Sequence, residues 1–283
     1  MRNQFFVKEA NVHGSSTSTI KLLGSLYQLV HFGWQQSMAC SFPVVIFAAL
    51  ALTQFIPLPL LPRYDWLLII CLTMQIIMLR TGLETRDEVK VITLFHLIGL
   101  CLELFKVHMG SWSYPEEGYS KIFGVPLYSG FMYASVASYL CQAWRRLQVD
   151  LIQWPPFTAA VPLAAVIYLN FFTHHFWLDI RWILSGLVLV VFWKTWVIYK
   201  VNGKCYRMPL ALSFFLIGFF IWIAENIATY FKAWQYPNQA GAWSLVHLGK
   251  VSSWLLLVIV SFLIVATLKL YKEKRRPLRG NGI

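Results

Sequence analysis

The sequence predicts an all-α fold, a polytopic membrane helix bundle with about eight transmembrane helices. Of the 283 residues, 58% are of the types AVILMFWYC and only 13% are charged, whereas soluble domains contain about 45–50% apolar and about 25% charged residues. The apolar residues form long runs, and helices are the structure that satisfies its own backbone groups inside lipid. This composition excludes a soluble globular protein, a disordered chain and a small disulfide scaffold.

Eight apolar runs approach the length of about 20 residues that a bilayer core requires. They lie at residues 41–56, 65–79, 91–107, 126–143, 157–172, 180–199, 209–231 and 244–268. The amphipathic stretch 20–38 is expected to lie along the inner membrane surface. The predicted organisation is an N-terminal cytoplasmic segment (1–39), a first four-helix half (40–150), a second four-helix half (151–270) and a basic cytoplasmic tail (271–283).

The basic residues predict the orientation. If the N-terminus, every second link and the C-terminus share one side, that side holds eighteen of the 24 Lys and Arg residues and the other side holds six. Basic residues concentrate on the cytoplasmic side of membrane proteins, so both termini are predicted to be cytoplasmic, in a multi-pass protein of the cell membrane. The same distribution explains the net charge of +12 without nucleic acid as a partner, and makes membrane lipids the expected partners.

A repeat connects the third and seventh runs. Each run ends in the pattern Glu-x8-Trp-x-Tyr-Pro, and all four positions differ by 122 residues between the two copies: Glu103, Trp112, Tyr114, Pro115 and Glu225, Trp234, Tyr236, Pro237. Both runs cross in the same direction in the predicted topology. A repeat of this kind is typical of two duplicated four-helix halves.

Each copy of the repeat places one carboxylate inside an apolar helix, near its outer end. An ionisable side chain there costs at least about 2.5–3.5 kcal/mol, so Glu103 and Glu225 should face the bundle interior and find partners. His96 shares a helix face with Glu103, and His247 shares one with Lys250. Lys250 is expected near Glu225, either as a buried ion pair that fixes the helix register or as part of a site.

The link between the fifth and sixth runs carries a third polar group. If this link continues as a helix, His175 and Asp179 are neighbours on one face. Imidazoles and carboxylates are common ligands of zinc and iron. One interpretation is therefore a divalent metal held by His174, His175 and Asp179, and the other is a hydrogen-bonded cluster of Asp179 with Arg181.

Because most of these polar residues fall in the outer half of the bilayer, the sequence predicts one shared pocket there. A buried acid could protonate a substrate as general acid and a histidine could serve as base. The catalytic candidates are Glu103, Glu225, His175 and His247. The substrate-binding candidates are Trp112, Tyr114, Asn226, Trp234, Tyr236 and Lys250, although Trp and Tyr are also typical of membrane-interface belts.

Four segments together resemble the YoaT-like family of multi-pass bacterial membrane proteins, a domain of unknown function. The segments are Ser-Trp-Ser-Tyr-Pro-Glu-Glu at 111–117, Asn-Phe-Phe-Thr-His-His-Phe-Trp at 170–177, Phe-Phe-Ile-Trp-Ile-Ala-Glu-Asn at 219–226 and Trp-Ser-Leu-Val-His-Leu-Gly-Lys at 243–250. The resemblance covers most of the chain from about residue 40 and implies a membrane protein of the bacterial inner membrane without an assigned activity.

A fainter likeness is to carotenoid-type membrane enzymes such as the lycopene cyclase domain. The order Glu103, Trp112, Tyr114 and then Gly-Val-Pro at 124–126 is similar to theirs. Those enzymes place an acidic doublet after this proline, whereas here Leu-Tyr-Ser follows and the doublet comes earlier, at 116–117. What the likeness implies is an acid that acts on a polyisoprenoid.

Three functions remain open from the sequence. The first is a membrane enzyme that acts on a lipid or isoprenoid substrate, the second a transporter or channel for a small solute, and the third a membrane assembly protein without chemistry. A lateral apolar cleft beside a buried acid would favour the enzyme. A polar path to the cytoplasm would favour the transporter, and acids that are all hydrogen-bonded by their own surroundings would favour the assembly protein. No P-loop or nucleophile elbow is present, and the oligomeric state stays open.

Overall fold

The computed structural model describes residues 13–56 and 58–275 of the chain. Each of the eight predicted apolar runs contains a helix there, and a further helix covers the stretch 20–38. Residues 1–12, 57 and 276–283, which include part of the predicted N-terminal segment and most of the predicted basic tail, lie outside the described residues. The helices are α1 (His13–Ala39), α2 (Ser41–Phe55), α3 (Arg63–Arg80), α4 (Arg86–His108), α5 (Ser129–Arg146), α6 (Phe157–Thr173), α7 (Arg181–Val191), α8 (Leu210–Tyr230) and α9 (Lys250–Arg275).

Three of these helices are long and apolar enough to cross a membrane. They are Arg86–His108, Leu210–Tyr230 and the first 18 residues of α9, Lys250–Thr267. The parts Leu22–Ala39 and Ser41–Phe55 of α1 and α2 qualify as a pair that is bent by 68°, which can count as a fourth span. The helices α6 and α7 are apolar but short. The described residues thus provide three to four candidate spans, fewer than the eight predicted.

The sixth predicted run is not a single helix, which corrects the all-α prediction. Helix α7 ends at Val191, and the chain continues into two antiparallel strands, β4 (Trp196–Val201) and β5 (Lys204–Pro209), which join β3 (Asp150–Ile152) in the order β3-β4-β5. Asn202 and Gly203, with φ of +46° and +77°, form the two-residue turn. Asn-Gly favours this type of hairpin turn, and β-branched and aromatic residues favour the strands.

A small hairpin also interrupts the link between α4 and α5. Its strands are β1 (Lys121–Ile122) and β2 (Val125–Pro126). The turn between them contains Phe123 and Gly124, both with positive φ. Val125 and Tyr128 behind it are fully buried, so this link is a folded part of the core and not a free loop.

The helix links gather at two ends of the bundle. At one end, which we call the basic end, β3 pairs with β4, and Glu88 at the start of α4 bonds to Lys269 (2.7 Å) and lies 3.5 Å from Arg145. At the other, which we call the aromatic end, Arg63 donates to the carbonyl groups of Leu50 (3.0 Å) and Phe231 (2.6 Å). The links that share a side in the predicted topology therefore also lie together in the fold.

Two close helix pairs form the centre of the molecule, α4 with α5 and α8 with α9. A Cβ atom added at Gly99 of α4 would lie 2.4 Å from the Tyr133 ring of α5. A Cβ atom added at Gly218 of α8 would lie 2.9 Å from the backbone nitrogen of Leu255 in α9. Each glycine ends a Leu-Ile-Gly segment, at 97–99 in α4 and at 216–218 in α8, and the two segments differ by 119 residues. Each helix therefore approaches its partner at a glycine within the same short sequence.

The close approach at Gly218 predicts that Gly218→Ala destabilises the protein. Because the added methyl group meets backbone that cannot move aside cheaply, we expect a loss of about 1–3 kcal/mol. Gly186→Ala in α7 is the matched control, since nothing lies within 4 Å of its added Cβ, and there alanine should add about 0.5–1 kcal/mol of helix stability. Thermal unfolding in detergent measures both, and equal melting temperatures for the two variants would contradict the packing described.

Candidate functional site

Glu103 is buried in α4 and is held by three neutral donors. Its Oε2 accepts hydrogen bonds from Trp112 Nε1 and Tyr114 Oη, both at 2.7 Å, and its Oε1 accepts one from Tyr133 Oη at 2.8 Å. Only 5% of Glu103 is exposed. A buried carboxylate needs such partners because burial removes its hydrating water. The Trp and Tyr of the repeat therefore serve as direct partners of the acid.

Glu225 in α8 has the corresponding arrangement. It accepts hydrogen bonds from Tyr236 Oη and, at 2.7 Å, from Trp254 Nε1. Tyr236 follows Glu225 by eleven residues, as Tyr114 follows Glu103. Trp254 is the fifth residue of α9, just as the Glu103 partner Tyr133 is the fifth residue of α5. Each acid is thus bonded by its own repeat and by the helix that comes next in the chain.

The ends of α4 and α8 have the same backbone geometry. Gly110 and Lys232 follow the two helices with left-handed φ of +68° and +55°. In both cases the next amide donates 2.9 Å back to the carbonyl five residues earlier, from Ser111 to Lys106 and from Ala233 to Ala228. This pattern is a Schellman motif, which turns the chain back over the helix end. The turn carries each Trp-x-Tyr segment back to its glutamate.

The two repeats also contact each other directly. Ser113 and Gln235, the residues between Trp and Tyr in each copy, form an antiparallel bridge in which both N–H···O distances are 2.9 Å. The rings of Trp112 and Tyr236 meet edge to face with centroids 6.0 Å apart. The two glutamate sites are therefore related by a local approximate twofold that passes between Ser113 and Gln235. We call this assembly the paired Glu motif.

Lys250 lies on the paired Glu motif, but not as the predicted ion-pair partner of Glu225. Its Nζ lies 4.8 Å from the ring centroid of Tyr236 and 5.5 Å from that of Trp112. The salt bridges among the described residues do not include Lys250. The expected ion pair is therefore wrong. The charges of Lys250 and Glu225 act on each other, but the two groups lie more than 4.0 Å apart. The ammonium group instead contacts the aromatic faces as a cation–π interaction.

A second polar group lies beside the first and consists of Lys106, His174 and His175, the Lys-His cluster. Lys106 is 5% exposed, and its Nζ lies 3.2 Å from His174 Nε2 and 2.8 Å from His175 Nε2. His174 Nδ1 lies 2.8 Å from the carbonyl oxygen of Asn170. Because a carbonyl only accepts, we assign the His174 proton to Nδ1, and its Nε2 then accepts from the lysine.

Both imidazoles of the Lys-His cluster are held in the neutral form. Burial lowers the pKa of His175 to about 4, and the charges of Lys106 and Lys250 act in the same direction. Burial also lowers the pKa of His174. His175 is therefore unprotonated at neutral pH, as a general base must be, although its low pKa makes it a weak base while its Nε2 accepts a hydrogen bond from Lys106.

The predicted metal ligands do not form a common donor set. Helix α6 ends at Thr173, so the helical continuation that would align His175 with Asp179 is missing. Asp179 instead bonds to Arg181, whose Nε lies 2.5 Å from Oδ2. Within residues 13–56 and 58–275, no group of three or more His, Cys, Asp or Glu side chains is arranged to hold a metal ion. The alternative expectation, an Asp179–Arg181 pair, describes this link.

The remaining sequence candidates divide into two groups. Asn226 links α8 to the chain before α9, because it donates to the Trp222 carbonyl and accepts from the Val246 amide, both at 2.8 Å. Trp234 is buried beside Tyr236. His247 is exposed and accepts a hydrogen bond from the Gly249 amide at 3.0 Å. The structure therefore gives His247 a local turn contact and places it outside the paired Glu motif.

A small apolar cleft, with a cavity volume of about 20 Å³, lies between α4, α5, α6 and α9. Six of the residues that line it are Ile98, Leu102, Tyr133, Tyr168, Leu257 and Val260. Several of them are half-buried, so the cleft is reached from the side of the bundle. Tyr133 also bonds to Glu103, and Leu102 precedes Lys106 by one helical turn on α4. The cleft therefore extends from the paired Glu motif toward the Lys-His cluster.

The sequence analysis missed Arg63 as a residue that joins the two predicted halves. Arg63 Nη1 pairs with Glu116 at 2.7 Å, and its Nη2 donates to the end of α8. The sequence feature that could have drawn attention to Arg63 is its position directly after Pro62, at the start of α3.

The basic end also holds two acids that the sequence analysis treated as ordinary loop residues. Glu84 is fully buried and accepts hydrogen bonds from Gln75 and Ser138. Burial raises the pKa of Glu84 above its usual value. Glu88 forms a capping box with Thr85, and its sequence signal was the Thr-x-x-Glu spacing.

Comparison with known proteins identifies a family but not an activity. Residues 28–262 match a family described as "Protein of unknown function (DUF817)". The chain is 80% identical over 250 residues to "Uncharacterized protein YoaT" of Bacillus subtilis (strain 168), an alignment that covers 88% of this chain and 95% of the relative. No solved structure matches. The resemblance to YoaT-like proteins is confirmed, and the fainter likeness to carotenoid-type enzymes stays a prediction.

The paired Glu motif predicts that its two tyrosines are equivalent in their effect on stability. Tyr114→Phe and Tyr236→Phe each remove one donor from a buried carboxylate, which should cost about 1–3 kcal/mol. Tyr119→Phe, at a side chain that is 82% exposed, is the control and should change little. Chemical unfolding in detergent gives the three values. A neutral effect at Tyr114 or Tyr236 would show that the glutamates do not depend on these donors.

The low pKa of His175 predicts a specific acid sensitivity. An imidazole whose pKa falls from 6.5 to about 4 on folding stabilises the folded state above pH 6.5, and this contribution is lost as the pH falls toward about 4. We therefore expect the melting temperature of the wild type to drop more between pH 7 and 4 than that of His175→Gln. Parallel pH profiles for the two proteins would contradict the assigned environment.

Proposed function

The chain belongs to the DUF817 family of proteins of unknown function, and we propose that it is an integral membrane enzyme that acts on a lipid or isoprenoid substrate. The reaction takes place in the outer half of the bilayer. The tail of the substrate occupies the apolar cleft, and its reacting end lies at the Lys-His cluster.

A membrane location is supported by the three to four helices with the length and hydropathy of membrane spans. We place the basic end in the cytoplasm because the excess of Lys and Arg residues lies there. In this orientation both termini are cytoplasmic, and the aromatic end, with its many Trp and Tyr side chains, lies at the outer interface. Two duplicated four-helix halves, α2–α5 and α6–α9, account for the two related glutamate sites.

The observation that carries the proposal is the position of the cleft relative to the cluster. Ile98, Leu102 and Lys106 follow one another at intervals of four residues along α4, so they share one helix face. The first two line the cleft and the third begins the Lys-His cluster. The cleft itself has room for about one water molecule, so an amphiphilic substrate enters sideways from the bilayer as the helices around the cleft move apart. Its apolar tail then lies between the helices, and its polar reacting end lies at the Lys-His cluster.

Within this site we assign the chemistry to the Lys-His cluster. In the unbound protein, Lys106 donates to the basic nitrogen of His175, Nε2. When substrate binds, the Lys106 ammonium group turns to it and stabilises the negative charge that develops. His175, which is neutral at physiological pH, is then free to serve as the general base. Glu103 and Glu225 fix the walls of the site through their aromatic partners. Glu103 reaches the cleft only through Tyr133, which both lines the cleft and bonds to the acid.

A second candidate function is a membrane assembly protein without chemistry. One observation favours it: the oxygens of both glutamates are bonded by side chains of their own surroundings. This arrangement is sufficient to explain their burial without a substrate. The two candidates differ in what they expect of the cleft, since an assembly protein does not depend on an amphiphile bound there.

The deciding experiment compares lipids that copurify with the full-length chain in native nanodiscs. We expect the wild type to retain one amphiphile above its bulk abundance and Val260→Trp, which fills the cleft, to lose it. Val190→Trp, at an exposed position of α7, is the control and should retain it. His175→Gln should retain the amphiphile but slow its conversion by roughly 10²–10⁴-fold, the usual contribution of a general base.

The outcomes separate the candidates. Identical lipid profiles for the wild type and Val260→Trp would overturn the enzyme proposal and favour the assembly protein. A specific amphiphile whose cellular level does not change in His175→Gln would show that the cleft binds a lipid while the proposed base is wrong.

A further inference from the structure

Two buried or half-buried lysines lie at the aromatic end without a carboxylate at salt-bridge distance. The Lys106 ammonium group contacts the two imidazoles of the Lys-His cluster, and that of Lys250 lies over aromatic rings. Among the described residues, neither lysine has a carboxylate within 4.0 Å. The more distant carboxylates of Glu225 and Glu103 act on Lys250. That of Asp179 acts on Lys106, and the two lysine charges also act on each other. Buried charge is costly unless a directly paired opposite charge compensates it.

These lysines are not required by the paired Glu motif itself. With the 122-residue offset of the repeat, the residue that corresponds to Lys106 is Ala228. Lys250 is the first residue of α9, so its counterpart is the first residue of α5, Ser129. Both of these uncharged residues are fully buried. The glutamate geometry is therefore built with or without a lysine at either position. The two lysines occur in only one copy of each pair of corresponding positions. A structural role that both copies of the repeat share therefore does not explain their positive charges.

We propose that Lys106 and Lys250, with His175 and Ser111 beside them, bind the phosphate-type headgroup of an anionic lipid. This inference rests on the proposed function and names the substrate class of that same site. Ser111 Oγ lies 3.4 Å from His175 Nε2. The ring of the next residue, Trp112, makes a cation–π contact with the ammonium group of Lys250. The Ser111–Trp112 segment thus lies between the two ammonium groups and adds a hydroxyl donor.

A phosphate group is the anion whose charge matches this site. A phosphate monoester carries about −1.5 to −2 charges near pH 7, which two lysine side chains can neutralise as point charges. The adjoining Asp179 does not supply that charge, because Arg181 pairs with it. The small apolar cleft one turn away along α4 marks where the tail lies once the surrounding helices move apart, so a lipid with such a headgroup has a place for both of its parts.

The test uses the full-length chain in phosphatidylcholine nanodiscs and three probes: dodecyl phosphate, dodecanol and inorganic phosphate. We expect dodecyl phosphate to bind at least about tenfold more tightly than dodecanol in a calorimetric titration. Lys106→Met and Lys250→Met should each reduce this preference by about tenfold, because each removes one charge-assisted contact. The affinity for dodecanol should not change. Lys194→Met, at an exposed lysine of the basic end, is the matched control.

Lys106→Arg keeps the charge and should keep most of the preference, which separates loss of charge from loss of folding. The inference is overturned if dodecyl phosphate binds no better than dodecanol, or if both methionine variants retain the wild-type preference. Inorganic phosphate that competes with dodecyl phosphate would support a shared anion site. Lysine-dependent binding of inorganic phosphate without binding of either amphiphile would support the anion site and overturn the cleft, and with it the proposed function.

Discussion

A carboxylate that is buried in an apolar helix must receive hydrogen bonds, and this requirement organises the aromatic end of the molecule. Glu103 and Glu225 lie near the ends of α4 and α8, so their donors come from chain that leaves the helix and folds back over it. The Schellman motifs at the ends of both helices turn the chain back toward the glutamates. Both Trp-x-Tyr segments then arrive at the same place and pair at Ser113 and Gln235.

The two glutamate sites share one arrangement, but the charged residues around them differ. Both copies of the repeat bury an acid among neutral donors, whereas the positions that correspond to Lys106 and Lys250 hold Ala228 and Ser129. The two histidines that contact Lys106 come from the link after α6. Under the proposed function, the arrangement common to both copies supports the fold and the Lys-His cluster carries the chemistry.

The spacing of the repeat singled out Glu103, Trp112 and Tyr114, but it was interpreted as an acid with substrate-binding aromatic residues nearby. The structure shows that Trp112 and Tyr114 donate hydrogen bonds to Glu103 directly. The donors Tyr133 and Trp254 were not predictable, since they depend on how the next helix packs against the acid. The sixth apolar run was predicted from hydropathy alone and therefore included residues 196–199, which form part of a strand. The Asn-Gly pair that follows is typical of a hairpin turn and indicated the strand. Acids such as Glu84 escaped notice because sequence does not show that a loop residue is buried.

The pairing of the two repeats is tested most directly by a disulfide between Ser113→Cys and Gln235→Cys. Residues opposed in this type of bridge have Cα atoms about 5.5 Å apart, within the range of about 4.4–6.8 Å that a disulfide spans. The exposed native Cys101 and Cys205 are first replaced by serine, and Tyr119→Cys with Gln235→Cys serves as the control pair. The account predicts that mild oxidation links the first pair within one chain and leaves the control unlinked. Failure of the first pair to link, or equal linking of both pairs, would contradict it.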